Sequence, residues 1–152
     1  MKIDSKLLSF HKKTNNNNIY YNIKYLGNIL YFNLENCLLT NNIKQGISNI
    51  YYLKLSKLEY LNSIKDIENY IISYIKDNSS GLFSIDIVSN NIHNLFFSNI
   101  VKKNNDFLLI IQDYNNNKLD INKKYTVKVI LNGIWFRNDT FGINYLTDHI
   151  YE

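Results

Sequence analysis

Tyr20 and Lys24 stand on one side of the alternating run IYYNIKYL (19–26), with Ile19, Tyr21, Ile23 and Tyr25 on the other. The same pairing of ring and cation recurs along the chain. In ISNIYYLKL (47–55) the more polar register is Ser48, Ile50, Tyr52 and Lys54. In YTVKVILNGIWF (125–136) the even-numbered face shows Thr126, Lys128, Asn132 and Phe136, and in ILYFNL (29–34) Tyr31 falls opposite Leu30, Phe32 and Leu34. A lysine or arginine neutralises a phosphate, and an aromatic face stacks on an unpaired base at about 1–3 kcal/mol. Both on one strand surface are the equipment for holding a single-stranded nucleic acid. Taken singly, each ring is explained as well by β propensity, because the chain has 13 Tyr.

One segment departs from the rest. LNGIWFRNDTFGINYL (131–146) holds the only Trp, the only Arg and two of the five Gly. In a regular strand Trp135 shares a face with Tyr125, Val127, Val129 and Leu131, which makes it core and leaves Phe136 outside. That is the expected register. A bulge at Gly133 would exchange the two rings. In either register one ring of the pair faces outward beside Arg137.

Groupings that would support catalysis are missing. His11, His93 and His149 are isolated, with no second ligand three or four residues on along a strong helix. There is no HExxH, Gly-rich phosphate loop or GxSxG. Asp86, Asp106, Asp113 and Asp120 have no spacing that demands a metal. A single cysteine, Cys37, excludes an intramolecular disulfide and reads as packing. The expectation is a non-enzymatic protein without metal or cofactor.

The elements that must position these residues follow from the change of period. Strands are expected at 19–26, 29–34 and 47–55, with a Gly27-Asn28 turn between the first two. Ser56-Lys57-Leu58-Glu59 reads as a capping box. After it Leu58, Leu61, Ile64, Ile67, Ile71 and Ile75 form one apolar stripe, with Glu59, Asp66 and Glu68 on the exposed face. Asp77 to Gly81 should stop this helix. Strands then follow at 82–88, 107–112, 125–136 and 141–146, with 92–101 ambiguous. Three strands, a helix and a closing hairpin predict a mainly β protein with one long helix: an OB-fold-like barrel with extra elements before the hairpin. Residues 1–18, ending in HKKTNNNN, read as a flexible arm, and 19–152 as a single domain.

Composition sets limits. With 27 Asn and 23 Ile but no Ala or Pro, the chain favours amino acids with AT-rich codons, so part of its Lys and Tyr content is coding bias. The net charge of +4 is uneven: 1–57 holds eight Lys against two acids, 58–100 two against five, and 101–152 seven basic residues against six acidic. A polyanion partner would avoid the acidic middle. No run approaches the ~18 apolar residues of a membrane span. The expectation is a soluble cytoplasmic protein, with no membrane partner.

The closing segment, a β-branched strand running into Gly133-Ile134-Trp135-Phe136, a polar turn, then Phe141-Gly142-Ile143 and Tyr145, resembles a known hairpin. It is similar to the one that ends OB-fold single-stranded DNA-binding proteins of large cytoplasmic DNA viruses and cytoplasmic linear (killer) plasmids. The resemblance covers roughly 125–146 and implies a protein that coats displaced strands during replication. Lys24, Lys54, Lys128 and Arg137 are the candidate phosphate contacts, and Tyr20, Tyr52, Phe136 and Trp135 the candidate stacking platforms. The expected partner is single-stranded DNA, with RNA as the variant, and replication proteins or a second copy docked through 92–112 as additional partners. A protein–protein module of a replication, transcription or virion complex is the rival expectation, since Tyr-rich surfaces suit interfaces equally well.

Overall fold

Among the described residues the chain forms nine strands and one long helix, the helix where the apolar period is three to four. The computed structural model describes residues 3–15, 18–82, 92–115, 117–137 and 140–152. After a 3-10 turn at Ser5–Leu7 come β1 (Leu8–Asn15), β2 (Asn18–Tyr25), β3 (Asn28–Gln45) and β4 (Ser48–Lys54). The helix α1 (Leu58–Leu82) follows, then a short α2 (Ile92–Leu95), β5 (Phe96–Phe97), β6 (Ile100–Lys103), β7 (Asp106–Asp113), β8 (Lys124–Arg137) and β9 (Thr140–Tyr151).

Five strands close on themselves. β3 pairs with β4, β4 with β7, β7 with β9, β9 with β8, and β8 with β3. All these contacts are antiparallel except β7–β9, which is parallel and joined at Gln112 opposite Leu146. The protein is mainly β with one long helix, in a barrel compatible with the OB arrangement. Within the ring, α1 enters between the second strand (β4) and the third (β7). That is one strand earlier than the linear order suggested, because β2 is not the ring's first strand. It forms a hairpin with β1 that is laid onto β8 and the start of β3.

Residues 8–15, expected within a flexible arm, are thus the outer strand of that hairpin. Leu8 is buried and the Phe10 ring lies 4.5 Å from the ring of Tyr74 on α1. Lys12, on the same face, interrupts the apolar alternation after two residues and hid the strand. The β2–β3 turn sits at Leu26 (φ 51°) and Gly27 (φ 80°), one residue earlier than expected.

Inside the ring Leu30, Phe32 and Leu34 of β3 face Val127, Val129 and Leu131 of β8, and all are buried. β3 then bulges at Glu35 and Asn36 (φ 52°), which lets Cys37 and Leu39 point inward as well. The bulge breaks the alternation, so the continuation of this strand to Gln45 could not be read from the sequence. It also anchors the helix. The Glu35 N–H donates to Tyr60 Oη at 3.1 Å, and the Ser56 hydroxyl donates to the Glu35 carbonyl.

On α1, Leu61, Ile64, Ile67, Ile71 and Ile75 are buried in the same core as the barrel interior or at its edge. Two expectations on this helix are corrected. Leu58 is 69% exposed, since it precedes the covered stretch, and Glu68 is only 5% exposed, because the packed face is wider than one stripe. The backbone leaves helical values at Asn78, inside the expected stop, although helical turns resume to Leu82. Of the expected strand 82–88, Leu82 ends α1 and the remainder lies outside the described residues. No described helix is long and apolar enough to cross a membrane.

Tyr60 is 4% exposed and its hydroxyl satisfies a backbone donor at the bulge. Tyr60→Phe should therefore cost about 1–2 kcal/mol, the penalty for orphaning a part-buried N–H. A urea unfolding midpoint equal to wild type would show that the bulge does not depend on this bond.

Candidate nucleic-acid interface

The register of β8 decides what its aromatic residues can do. Tyr125, Val127, Val129 and Leu131 point inward, but the pairing with β9 shifts between Leu131 and Gly133. Beyond this bulge Ile134 is the buried residue, and Phe136 turns toward the core. Its ring stacks on Phe141 at 5.9 Å and meets the edge of Tyr21 at 6.3 Å. Trp135 is therefore turned outward and half-buried, contrary to the expected regular strand. Phe136, with Phe141 and Tyr21 packed against it, is corrected from a stacking platform to a packing ring.

Both glycines of the segment are set by close approach. A Cβ at Gly133 would lie 2.5 Å from the Tyr21 carbonyl oxygen, because β2 crosses there. A Cβ at Gly142 would lie 2.6 Å from Trp135 Cζ2, since the indole rests on that backbone. Spread over Gly142, the indole reaches within 6.1 Å of the Phe97 ring on β5.

Trp135 and Phe97 stand at one side of a cleft of about 850 Å³ beside the β7–β9 seam. The other walls are the β3–β4 turn at Gln45, Gly46 and Ile47, the β4 residue Ile50, and Ile110 and Gln112 of β7. Arg137 and Thr140 close it from the β8–β9 hairpin, and Tyr114 stands at the end of β7. Ile47 is 89% exposed, while Phe97 and Tyr114 show about half their surfaces. Among the described residues the cleft lining holds no carboxylate and the Arg137 side chain has no ion-pair partner. Such a cleft offers ring faces, amide groups and one cation to a flat, polar-edged, anionic ligand.

Two described acids nearby, Asp113 and Glu68, are bonded within the fold. Asp113 is fully buried and accepts from Tyr51 Oη and Asn117 Nδ2 at 2.8 Å and from the Asn115 N–H at 2.9 Å. These bonds fix the turn that carries Tyr114. Burial and the Asp113 carboxylate push the Tyr51 hydroxyl far above its ordinary range. Glu68 reaches from α1 to the loop that carries the cleft wall, accepting from Ser98 Oγ at 2.8 and 3.1 Å.

The remaining predicted residues lie apart from the cleft. Tyr52 and Lys54 continue the outer side of β4 beyond Ile50, Tyr52 opposite Ile110 and Lys54 paired with Asp106 at 3.4 Å. Lys24 lies across from Ile29 on the β2–β3 hairpin. Lys128 lies 3.9 Å over the Tyr31 ring and 3.4 Å from Asp148. Tyr20 is on the outer side of β2. Of the eight, only Trp135, Phe136 and Arg137 line the cleft. Sequence reasoning missed Phe97, in a segment of ambiguous period, and Tyr114, in a run that reads as polar loop.

Comparison with protein-family models, curated proteins and solved structures finds no match for this chain.

Burial raises the Glu68 carboxyl from 4.5 to about 7, against the opposing pull of Ser98 and Lys65; the Tyr145 hydroxyl is buried nearby without a hydrogen-bond partner among the described residues. An acid whose folded value is raised binds its proton more tightly in the native state. Stability is then complete below about pH 4.5 and declines as pH rises to about 7, by up to about 3 kcal/mol. Glu68→Gln should flatten this slope and be the more stable protein at about pH 8 in thermal unfolding. Parallel pH profiles for the two proteins would refute the assignment.

Proposed function

We propose that this protein binds single-stranded nucleic acid, with DNA as the preferred form, as a non-enzymatic coat on exposed strands. The observation that carries the reading is the position of the cleft. OB barrels bind oligonucleotides over their second and third strands and between the first–second and fourth–fifth loops. Here the cleft lies over β4 and β7, between the β3–β4 turn and the β8–β9 hairpin. Trp135, Phe97 and Tyr114 supply faces for base stacking, and Arg137 supplies a guanidinium that can pair with phosphate or stack on a base. The resemblance of residues 125–146 to the closing hairpins of viral and plasmid single-strand binders supports the same reading, and with it a place in replication outside the nucleus.

A rival reading is favoured by Ile47, 89% exposed at the tip of the β3–β4 turn, and by Ile43, 45% exposed on the same hairpin. An apolar tip of this kind suits a protein partner.

One titration separates the two. Labelled oligo-dT should quench Trp135 fluorescence, and affinity should fall steeply with added salt as counterions are released. Arg137→Gln should weaken binding about three- to tenfold and reduce the salt slope by about 0.7, the share of one phosphate contact on a single strand. Binding that ignores salt, equal preference for duplex, or no quenching at any oligonucleotide length would overturn the proposal in favour of the partner reading.

A further inference from the structure

The hairpin β1–β2 lies outside the five-stranded ring, yet its register aligns it with the cleft. Tyr21 pairs with Ile134 and Asn22 with Gly133, so the same register carried one residue further sets Tyr20 opposite Trp135. On the far side of β2, Tyr20 is opposite Lys13. On the far side of β8, Trp135 is opposite Gly142, and Gly142 is opposite Phe97 of β5. Lys13, Tyr20, Trp135, Gly142 and Phe97 therefore form one row across five neighbouring strands.

All five share the outer face. Their neighbours Tyr21, Ile134 and Phe141 are no more than 2% exposed and point into the core. Tyr20 is 36% and Phe97 54% exposed. At the strand spacing of about 4.8 Å the row spans about 19 Å. Its one gap, Gly142, is filled by the indole, which bridges from β8 toward Phe97. The next row on the same face is His11, Asn22, Gly133 and Asn144. Neither row contains a carboxylate.

We infer that this row is a second segment of the nucleic-acid track, in which a single strand leaving the cleft runs across the sheet over Trp135 and Tyr20 and ends with a phosphate at Lys13. The inference rests on the proposed function. Single-stranded nucleic acid fits the row better than a protein partner on three grounds. It is continuous with the cleft through Trp135 and Phe97. Its run of ring faces ends in a cation, Lys13. The flanking Asn22 and Asn144 offer amides to base edges. The barrel's own cleft would then define a short site, and the added hairpin would lengthen it.

The test compares labelled oligo-dT of about four and about twelve nucleotides, both within the range of sites of single barrels, by fluorescence anisotropy on the full chain. Tyr20→Ala should weaken the longer oligonucleotide about tenfold and leave the shorter one unchanged, with Tyr20→Phe restoring wild-type binding. Lys13→Gln should lower the salt slope for the longer ligand alone by about 0.7. Both positions are exposed, and an unchanged unfolding midpoint confirms that the variants fold. If wild type binds both lengths and Tyr20→Ala changes neither, or both equally, the extended track is wrong and the cleft reading stands. If wild type binds neither length, the proposed function fails and this inference fails with it.

Discussion

Where β2 crosses β8 the two backbones come so close that the Tyr21 carbonyl occupies the space a Cβ at position 133 would need. Only glycine permits that approach. The crossing coincides with the bulge in β8, and the bulge reverses the face on which every later residue of the strand is presented. Before it, odd-numbered residues fill the barrel; after it, Ile134 and Phe136 do, and Trp135 is turned out. Two features thus share one cause. The N-terminal hairpin is joined to the ring there, and the indole reaches the surface there. A straight β8 would bury Trp135 in an interior already filled by Leu131, Val129 and Tyr145, and would leave Phe136 without Tyr21 and Phe141.

The buried acids differ in how well they are solvated. Asp113 accepts three hydrogen bonds, from a phenol, an amide and a backbone N–H, so its charge is met by donors in fixed positions. Glu68 has the single Ser98 hydroxyl and a more distant Lys65, which is too little to keep the carboxylate ionised at its usual value. Asp113 shapes the turn behind the cleft, and Glu68 ties α1 to the segment that presents Phe97. Asp113 keeps its charge within the fold rather than on the cleft wall, and the acidic middle of the sequence is spent largely on the helix.

Much of the architecture was legible because burial imposes simple periods. The stripe from Leu61 to Ile75 announced a helix packed on one face, and the alternation in 125–131 and 141–146 announced paired strands. What escaped was local. Glu35 and Asn36 interrupt β3 with a bulge, so the apolar residues Cys37 and Leu39 fell out of phase and half the strand vanished from view. Lys12 hid β1 in the same manner. Leu26 adopts a left-handed conformation that its type disfavours, which moved the turn off the glycine-led expectation. Candidate site residues were read by type and alternation within single strands. Their grouping depends on pairing between strands far apart in the chain, which alternation does not encode. Phe97 and Trp135, 38 positions apart, are brought together by the pairing of both β5 and β8 with β9 at Gly142.

Counting cations by type also overstates what a polyanion would meet. Lys54 is paired with Asp106, Lys57 with Glu35, Lys123 with both Asp120 and Glu152, and Lys128 with Asp148 while lying over Tyr31. Such exposed pairs contribute little to stability, about 1 kcal/mol at most, but they pre-neutralise the lysine that a phosphate would otherwise recruit. A phosphate contact made there must displace a carboxylate, whereas Lys13, Lys24 and Arg137 have no ion pair among the described residues. The surface open to a polyanion is thus narrower than a count of cations suggests, and Lys13 and Arg137 are among the cations that remain on it. On the proposed track Lys13 ends the aromatic row on β1 and Arg137 follows Trp135 on β8 at the cleft, so the rings would set where bases lie while these two cations would hold the backbone.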